Sequence, residues 1–520
     1  MEDSSPIRLY ETNDRILVHN TIDNYLISIY RNKTEMTLES VNILNNININ
    51  KVYKSFGIFG LINLHISNYL ITVSNAKKIA IIGNTEIYQI QNVDFIQIDK
   101  ISVSYNMDYI QNEINLLIAG MKKIISEGVY FSRNFDLTNS LQTQRNIKNN
   151  NKKSYDILRN ANQKYLFNEP NLRPFFQSEI FSSSILINSI YGYCNSICEN
   201  IKGIDINYIL ISRKDVGNLS LITFSIGIDE IGNISNTVET EQIIIIGLNV
   251  FSYVQIKSPP LISSNFYNVI NNPEFKETDL EKFDKKKDYN FFKYHLNELN
   301  NNFRFIYIVN LLNKDKPEEN AINNLLENHI KNSDNKNFKY YYFNFDGNFQ
   351  HNKNKYDPLE NFLLEIEDVL NIFKFFGITL DSVGSKNYFD QVGIIREICK
   401  YGLDRSNIIQ MRISWLILEM QFKALKIIPY EFFGGDIVSV RQYEMSGLNN
   451  QEFLNNPNKK GIEFIIKIKK LWKENSQTLS NLYNGKYGNN ENKAIFNNNN
   501  NNQQNDSQEQ FDEYLRQNCI

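Results

Sequence analysis

A chain of 520 residues exceeds a single ordinary core of roughly 250–300 residues, so two domains are expected. Its 55 Lys and Arg against 58 Asp and Glu leave a net charge of −3, which excludes a global field for nucleic acid and requires any anionic ligand to be met by a local basic pocket. Hydrophobic residues at 42% and aromatics at 13%, with Ile, Tyr and Phe abundant, fit a mixed α/β or β-rich fold better than a helical bundle.

Residues 1–5 are polar and lead into no apolar segment, so no secretory signal is expected. Over residues 7–101, short runs rich in Ile, Val, Tyr and Phe alternate with Asn, Asp and Gly and predict a series of strands. Residues 108–127 carry Ile110, Ile114, Leu117, Ile118, Met121 and Ile125 at helical spacing and end at Gly128. A short strand is expected at 129–131 and a mobile polar loop at 144–154. Further strands are predicted at 185–193, 208–211, 219–226, 242–246, 253–256, 305–310 and 340–345. Helices are predicted at 321–330, 359–375 and 406–425. The expected division is 1–178 for a β-rich subdomain and 179–485 for a larger α/β domain. The Asn/Gln-rich stretch 486–520 cannot bury enough apolar surface to fold alone and is expected to be a disordered tail.

The chemistry-bearing segment is Cys399-Lys400-Tyr401-Gly402-Leu403-Asp404-Arg405, a C-x(5)-R spacing that enters a predicted helix at Ser406. Loop N–H groups and a helix N-terminus favour an anion, and a guanidinium forks two phosphate oxygens. The same surroundings favour a thiolate, the form in which a cysteine is nucleophilic. Gly402 allows such a loop to close tightly. Cys194 and Cys198, with no second Cys/His pair at metal spacing, read as core cysteines. Four cysteines make no disulfide framework and point to a reducing compartment. The histidines at 19, 65, 295, 329 and 351 form no zinc-hydrolase pattern. No apolar stretch approaches the ~18–20 residues of a membrane span, so contact with a membrane is expected to be peripheral.

Residues 391–410, with Cys399 and Arg405 at their centre, resemble the Sac-domain phosphoinositide phosphatase signature R-x-N-C-x-D-C-L-D-R-T-N. Five further blocks are similar to that family in the expected order. Residues 57–73 resemble G-I-x-G-x-I-x-L, and 130–142 resemble F-Y-F-S-x-x-x-D-L-T-x-S-L-Q. Residues 227–242 resemble G-x-D-x-x-G-x-V-A-N-x-V-E-T-E-Q, while 208–213 and 308–312 complete the series. The resemblance implies a β-rich N-terminal Sac domain packed on a cysteine-phosphatase-type catalytic domain. It makes Cys399 the nucleophile and Arg405 the phosphate-binding arginine, with Lys400, Tyr401, Gly402, Leu403 and Ser406 forming the loop around the phosphate. The implied partner is the headgroup of a phosphoinositide, phosphatidylinositol 4-phosphate being favoured, on the cytosolic face of an internal membrane. The implied chemistry needs no cofactor and no metal.

Three positions depart from the pattern: Ile398 stands for asparagine, Tyr401 for aspartate and Gly402 for a second cysteine. Asp404 is then the one carboxylate in the loop, with a proton-transfer role set beside an ion pair or a helix N-cap. These losses leave a binding or scaffold protein without turnover as the alternative to an enzyme. Arg213, Lys214 and Lys257 are candidates for a basic rim around the phosphates, Lys257 standing where the family has R-G-S. Glu239 and Glu241 share a strand face and read as local hydrogen-bonding groups. The run at 285–287, flanked by Asp284 and Asp288, reads as a solvated loop. The chain's Asn/Gln tail, in place of the hydrophobic C-terminal anchor of the endoplasmic-reticulum members, is expected to place it with the soluble branch.

Overall fold

Strand alternation organises the first of two compact units, Met1–Cys194 and Asn195–Ile520, that make up the computed structural model. The structure describes residues 5–31, 36–64, 67–99, 107–150, 156–176, 184–216, 227–229, 233–234, 236–270, 284–333, 335–351, 359–381, 384–400, 402–428 and 458–484. The expected boundary at 178/179, the strand expected at 219–226 and the tail at 486–520 lie outside the described residues.

In the first unit, β1 (Ile7–Glu11), β2 (Arg15–Asn20), β3 (Tyr25–Tyr30), β4 (Met36–Glu39) and β5 (Lys51–Ser55) form an antiparallel sheet in the order β4-β3-β2-β1-β5. Ile7, Leu9, Ile16, Val18, Ile27 and Ile29 stand two apart along their strands and are buried on one face in a common cluster. A second antiparallel series follows: β6 (Ile58–Leu64), β7 (Ser67–Ile82), β8 (Thr85–Gln97), β9 (Val129–Ser132) and the start of β10 (Asn188–Ile201), within which the unit ends. Between β8 and β9, α1 (Met107–Gly128) occupies the predicted helix. The loop expected at 144–154 is instead helical as far as Asn150, within α2 (Leu141–Asn150). Its entry is capped by Ser140, whose Oγ accepts the Thr143 N–H at 3.3 Å. Gln144 is buried and donates its amide to the carbonyls of Asp136 and Asn139, at 2.8 and 3.0 Å. Capping and one buried amide thus override a polar composition that reads as loop. A short helix, α3 (Glu169–Phe176), packs on β6.

In the second unit the strands are β11 (Ile204–Lys214), β12 (Val238–Ile246), β13 (Asn249–Ser258), β14 (Phe305–Asn310), β15 (Phe338–Tyr342), β16 (Phe376–Asp381), β17 (Gly384–Phe389) and β18 (Gly393–Ile398). The helices are α4 (Ser264–Ile270), α5 (Lys285–Asn302), α6 (Pro317–Lys331), α7 (Phe345–His351), α8 (Glu360–Phe373), α9 (Asp404–Ala424) and α10 (Lys459–Asn484). β11, β12 and β13 pair antiparallel, and from β13 outward the sheet turns parallel through β18, β14 and β15. The parallel strands finish in register, with Ser258, Ile398 and Asn310 side by side. Their C-terminal ends form the edge at which ligands of α/β sheets bind. On one face of this sheet Val254, Ile256, Ile306, Ile308, Ile394 and Ile398 pack with Phe292 and Leu296 of α5 and Leu325 and Leu326 of α6. The other face carries α9, which packs on β13 and β18.

The run 285–287 is solvated but not a loop. It opens α5, and the Asp284 carboxylate caps it by accepting the N–H groups of Lys286 and Lys287 at 3.1 and 3.0 Å. Leu326 is wholly buried between α6 and the parallel strands. Leu326→Ala is expected to cost about 2–5 kcal/mol, read as a lower urea midpoint with an unchanged slope. A midpoint equal to that of the unmodified chain would contradict this packing.

Candidate active site

Cys399 is the first residue beyond β18 and is buried. Its N–H donates to the Ser258 carbonyl at 3.4 Å, and its own carbonyl accepts the Gly402 N–H at 3.1 Å, closing a tight turn. Gly402 has φ +69°, and a Cβ there would stand 2.7 Å from the carbonyl carbon of Ser258, so both backbone conformation and space demand glycine. The Ser406 hydroxyl donates to the Cys399 Sγ at 3.2 Å from the first turn of α9. A hydroxyl so placed stabilises negative charge on sulfur. Ile398 is wholly buried in the apolar core, where an amide would lack the packing that an isobutyl-sized side chain supplies.

Arg405 lies in the first turn of α9 and reaches across to the turn after β14. Its Nη1 donates to the Leu311 carbonyl at 3.0 Å and to Glu319 Oε2 at 2.8 Å, and its Nη2 donates to Asp346 Oδ2 at 3.0 Å. The acceptors are themselves held through Asn313. Its backbone N–H donates to Glu319 Oε2 at 2.7 Å, and its Nδ2 donates to Asp346 Oδ2 at 2.6 Å. Burial works against the Arg405 charge, but Glu319, Asp346 and the nearby Cys399 sulfur raise the arginine above its ordinary pKa. Three of its five N–H groups are committed, and Nε–H and one N–H of Nη2 have no partner among the described residues. Asp346 Oδ1 is buried and has no hydrogen-bond partner among the described residues.

Behind the loop lies a polar layer between the sheet and α9. Lys257 is fully buried on β13, directly opposite Glu397 of β18, and its Nζ donates to Asn407 Oδ1. Asn407 donates in turn to the Ser476 hydroxyl of α10 at 2.8 Å. Glu397 Oε2 accepts the Gln410 amide at 3.0 Å.

The loop candidates therefore come together in part. Cys399, Gly402, Arg405 and Ser406 lie together, and Lys400 stands beside them with its ammonium 2.8 Å from Glu318 Oε2. Leu403 takes the N-cap position of α9 without a side-chain cap bond, and Asp404 is the helix's first residue. Tyr401 lies outside the described residues. The basic rim is corrected at three places. Arg213 is fully buried and ion-paired to Glu239 at 3.1 Å and Glu241 at 2.6 Å, as its position across from Glu239 in the β11–β12 ladder dictates. Lys257 is buried under the loop. Lys214 is buried too, with Nζ 3.4 Å from the Leu482 carbonyl, and burial pulls its pKa down to about 8. Cys194 is buried, but Cys198, four residues on along β10, is exposed and not a core cysteine. Glu319, Asp346, Glu397 and Asn407 were not foreseen as site residues. Glu319 had a faint signal, as an acidic residue just after the Pro317 that starts α6; Asp346 had none.

Among the described residues no cluster of three or more His, Cys, Asp or Glu is arranged for a metal ion, and no helix is long and apolar enough to cross a membrane.

A family model described as the SacI homology domain matches residues 56–350. An uncharacterized protein of Schizosaccharomyces pombe is 30% identical over 390 residues, which is 72% of this chain and 61% of that protein. Phosphoinositide phosphatase SAC7 of Arabidopsis thaliana is 24% identical over 436 residues, 82% of this chain and 70% of that protein. Phosphatidylinositol-3-phosphatase SAC1 of Saccharomyces cerevisiae is 25% identical over 394 residues, 73% of this chain and 60% of that protein. The chain thus spans between 60% and 70% of the length of these curated relatives.

The layer behind the loop carries its own pH dependence. Burial pushes Glu397 up to about 8, against the lowering effects of the Gln410 amide, Lys257 and Arg396. The folded chain therefore keeps a proton that the unfolded chain releases near the ordinary value of 4.5. The resulting stability is full below that value and is lost as pH rises towards and through about 8. Glu397→Gln removes the titration. Its urea midpoint should fall less than that of the unmodified chain between about pH 6 and 8. Parallel pH profiles for the two proteins would show that Glu397 is not the group concerned.

Proposed function

Since the chain belongs to the SacI homology domain family, we propose that it is a phosphoinositide phosphatase that works through a phosphocysteine intermediate at Cys399. The single observation carrying this reading is the loop itself. A cysteine at the C-terminal end of a parallel strand accepts a hydroxyl hydrogen bond and feeds directly into a helix whose first turn presents an arginine with two N–H groups to spare.

In the proposed first step the Cys399 thiolate attacks phosphorus, the bond to the inositol oxygen breaks, and that oxygen leaves with a proton. Arg405 and the first N–H groups of α9, which have no partner within the helix, hold the charge on the equatorial oxygens. Ser406 stabilises the sulfur as nucleophile and again as leaving group. In the second step water displaces sulfur from phosphorus and regenerates the thiolate. Asp404, at the start of α9, is proposed to give its proton to the inositol oxygen in the first step and to take one from the attacking water in the second. A phosphoester lipid fits a site that holds a fixed cation beside a cysteine, because electrostatic positioning is the main catalytic resource for phosphoryl transfer. The favoured substrate is phosphatidylinositol 4-phosphate, met peripherally at a cytosolic membrane face; the 3-phosphate named for the yeast relative is the competitor to test beside it.

Cys399→Ser should abolish phosphate release from a panel of monophosphorylated phosphoinositides while leaving thermal unfolding unchanged, because a hydroxyl is a far poorer nucleophile here. Arg405→Lys should lose most of kcat, since an ammonium cannot fork phosphate or reach all three anchoring acceptors. Undiminished turnover in either variant would overturn the assignment.

A further inference from the structure

We propose that Glu319 and Asp346 are positioning residues that act through Arg405, holding its guanidinium at the one orientation that presents Nε–H and an Nη2 N–H to the phosphoryl group. The proposal rests on the reading of Cys399 and Arg405 as a phosphoryl-transfer site and deepens it. Two buried carboxylates beside one guanidinium weaken the local attraction for a dianion, so their presence costs the site affinity. Their compensating effect is geometric. Arginine is long and rotamer-rich, and a misplacement of about 1 Å at a reacting centre costs about 10²-fold in rate. Here the side chain is fixed from three directions by groups on separate elements: the carbonyl of Leu311 just after β14, Glu319 on α6 and Asp346 on α7. Asn313 locks the two carboxylates together by donating to both, and its own Oδ1 accepts the Asp315 N–H at 2.8 Å. No member of this scaffold belongs to the Cys399–Arg405 loop.

Charge and geometry predict opposite effects, and that gives the proposal its signature. Replacing either carboxylate by its amide removes a negative charge from beside the phosphate but frees the guanidinium to turn. Glu319→Gln and Asp346→Asn should each lower kcat by about 10–100-fold. Competitive inhibition by inorganic phosphate should stay equal or become tighter. In an Arg405→Lys background the same two substitutions should change kcat by less than about two-fold, since the group they position is gone. The experiment measures kcat, KM and inhibition by inorganic phosphate on short-chain phosphatidylinositol 4-phosphate with the full chain, alongside thermal unfolding. If Glu319→Gln does not fold, Asp346→Asn carries the comparison. Unmodified chain that turns over while the amide variants match its kcat overturns the positioning role alone. So does an equal loss of kcat with and without Arg405, which would mean the carboxylates act elsewhere. An unmodified chain that neither releases phosphate nor binds it sinks the site reading, and the proposal with it.

Discussion

The guanidinium of Arg405, seated between Glu319 and Asp346, is the joint on which the second unit's candidate site depends. It ties the first turn of α9 to the segment that leaves β14 and to α7, three pieces of chain separated by as many as 94 residues. Burying two carboxylates and most of a guanidinium costs desolvation that their attraction need not recover, so such a cluster is weak evidence for stability. It is satisfied only because Asn313 donates to both carboxylates and Leu311 offers a carbonyl. The remaining orphan, Asp346 Oδ1, faces inward without a partner among the described residues. An arrangement this expensive and this directional is better suited to orienting a group than to holding a fold together.

The sheet explains why the loop can be placed so closely. β13, β18 and β14 end together, and the chain leaves β18 into Cys399 while Ser258, beside it on β13, accepts the Cys399 N–H. The two faces of β18 then divide the labour. Ile394 and Ile398 enter the apolar core with α5 and α6, while Glu397 points to α9 and meets Gln410. The loop is thus backed by apolar packing on one side and, on the other, by a polar layer running from Lys257 through Asn407 to Ser476 of α10.

Much of this fold could be read from residues close in sequence. The strand predicted at 305–310 is β14 to the residue, and the helix predicted at 108–127 is α1 within one residue at each end, because alternation and the 3.6-residue period are local signals. The helix expected at 406–425 begins two residues earlier and carries Arg405 in its first turn. The failures have equally local causes. Polar composition hid α2, whose order comes from a cap and one buried amide, and a lysine run disguised the start of α5. Within the site, the C-x(5)-R spacing pointed to the loop, since its members are neighbours along the chain. Asp346 was invisible and Glu319 only faintly marked by its place after Pro317, because the β14–α6 turn and α7 are what bring them to Arg405, and a rim drawn from basic residues alone could not register that Arg213 is consumed by Glu239 and Glu241.

The central claim is that Cys399 forms a covalent bond to phosphorus, and it is tested most directly by rapid acid quench of the chain turning over phosphatidylinositol 4-phosphate, followed by peptide mass spectrometry. The account predicts one phosphoryl group on the Cys399 peptide during turnover and none in Cys399→Ser. Steady phosphate release with Cys399 unmodified throughout, or with the phosphoryl group on another residue, would contradict it.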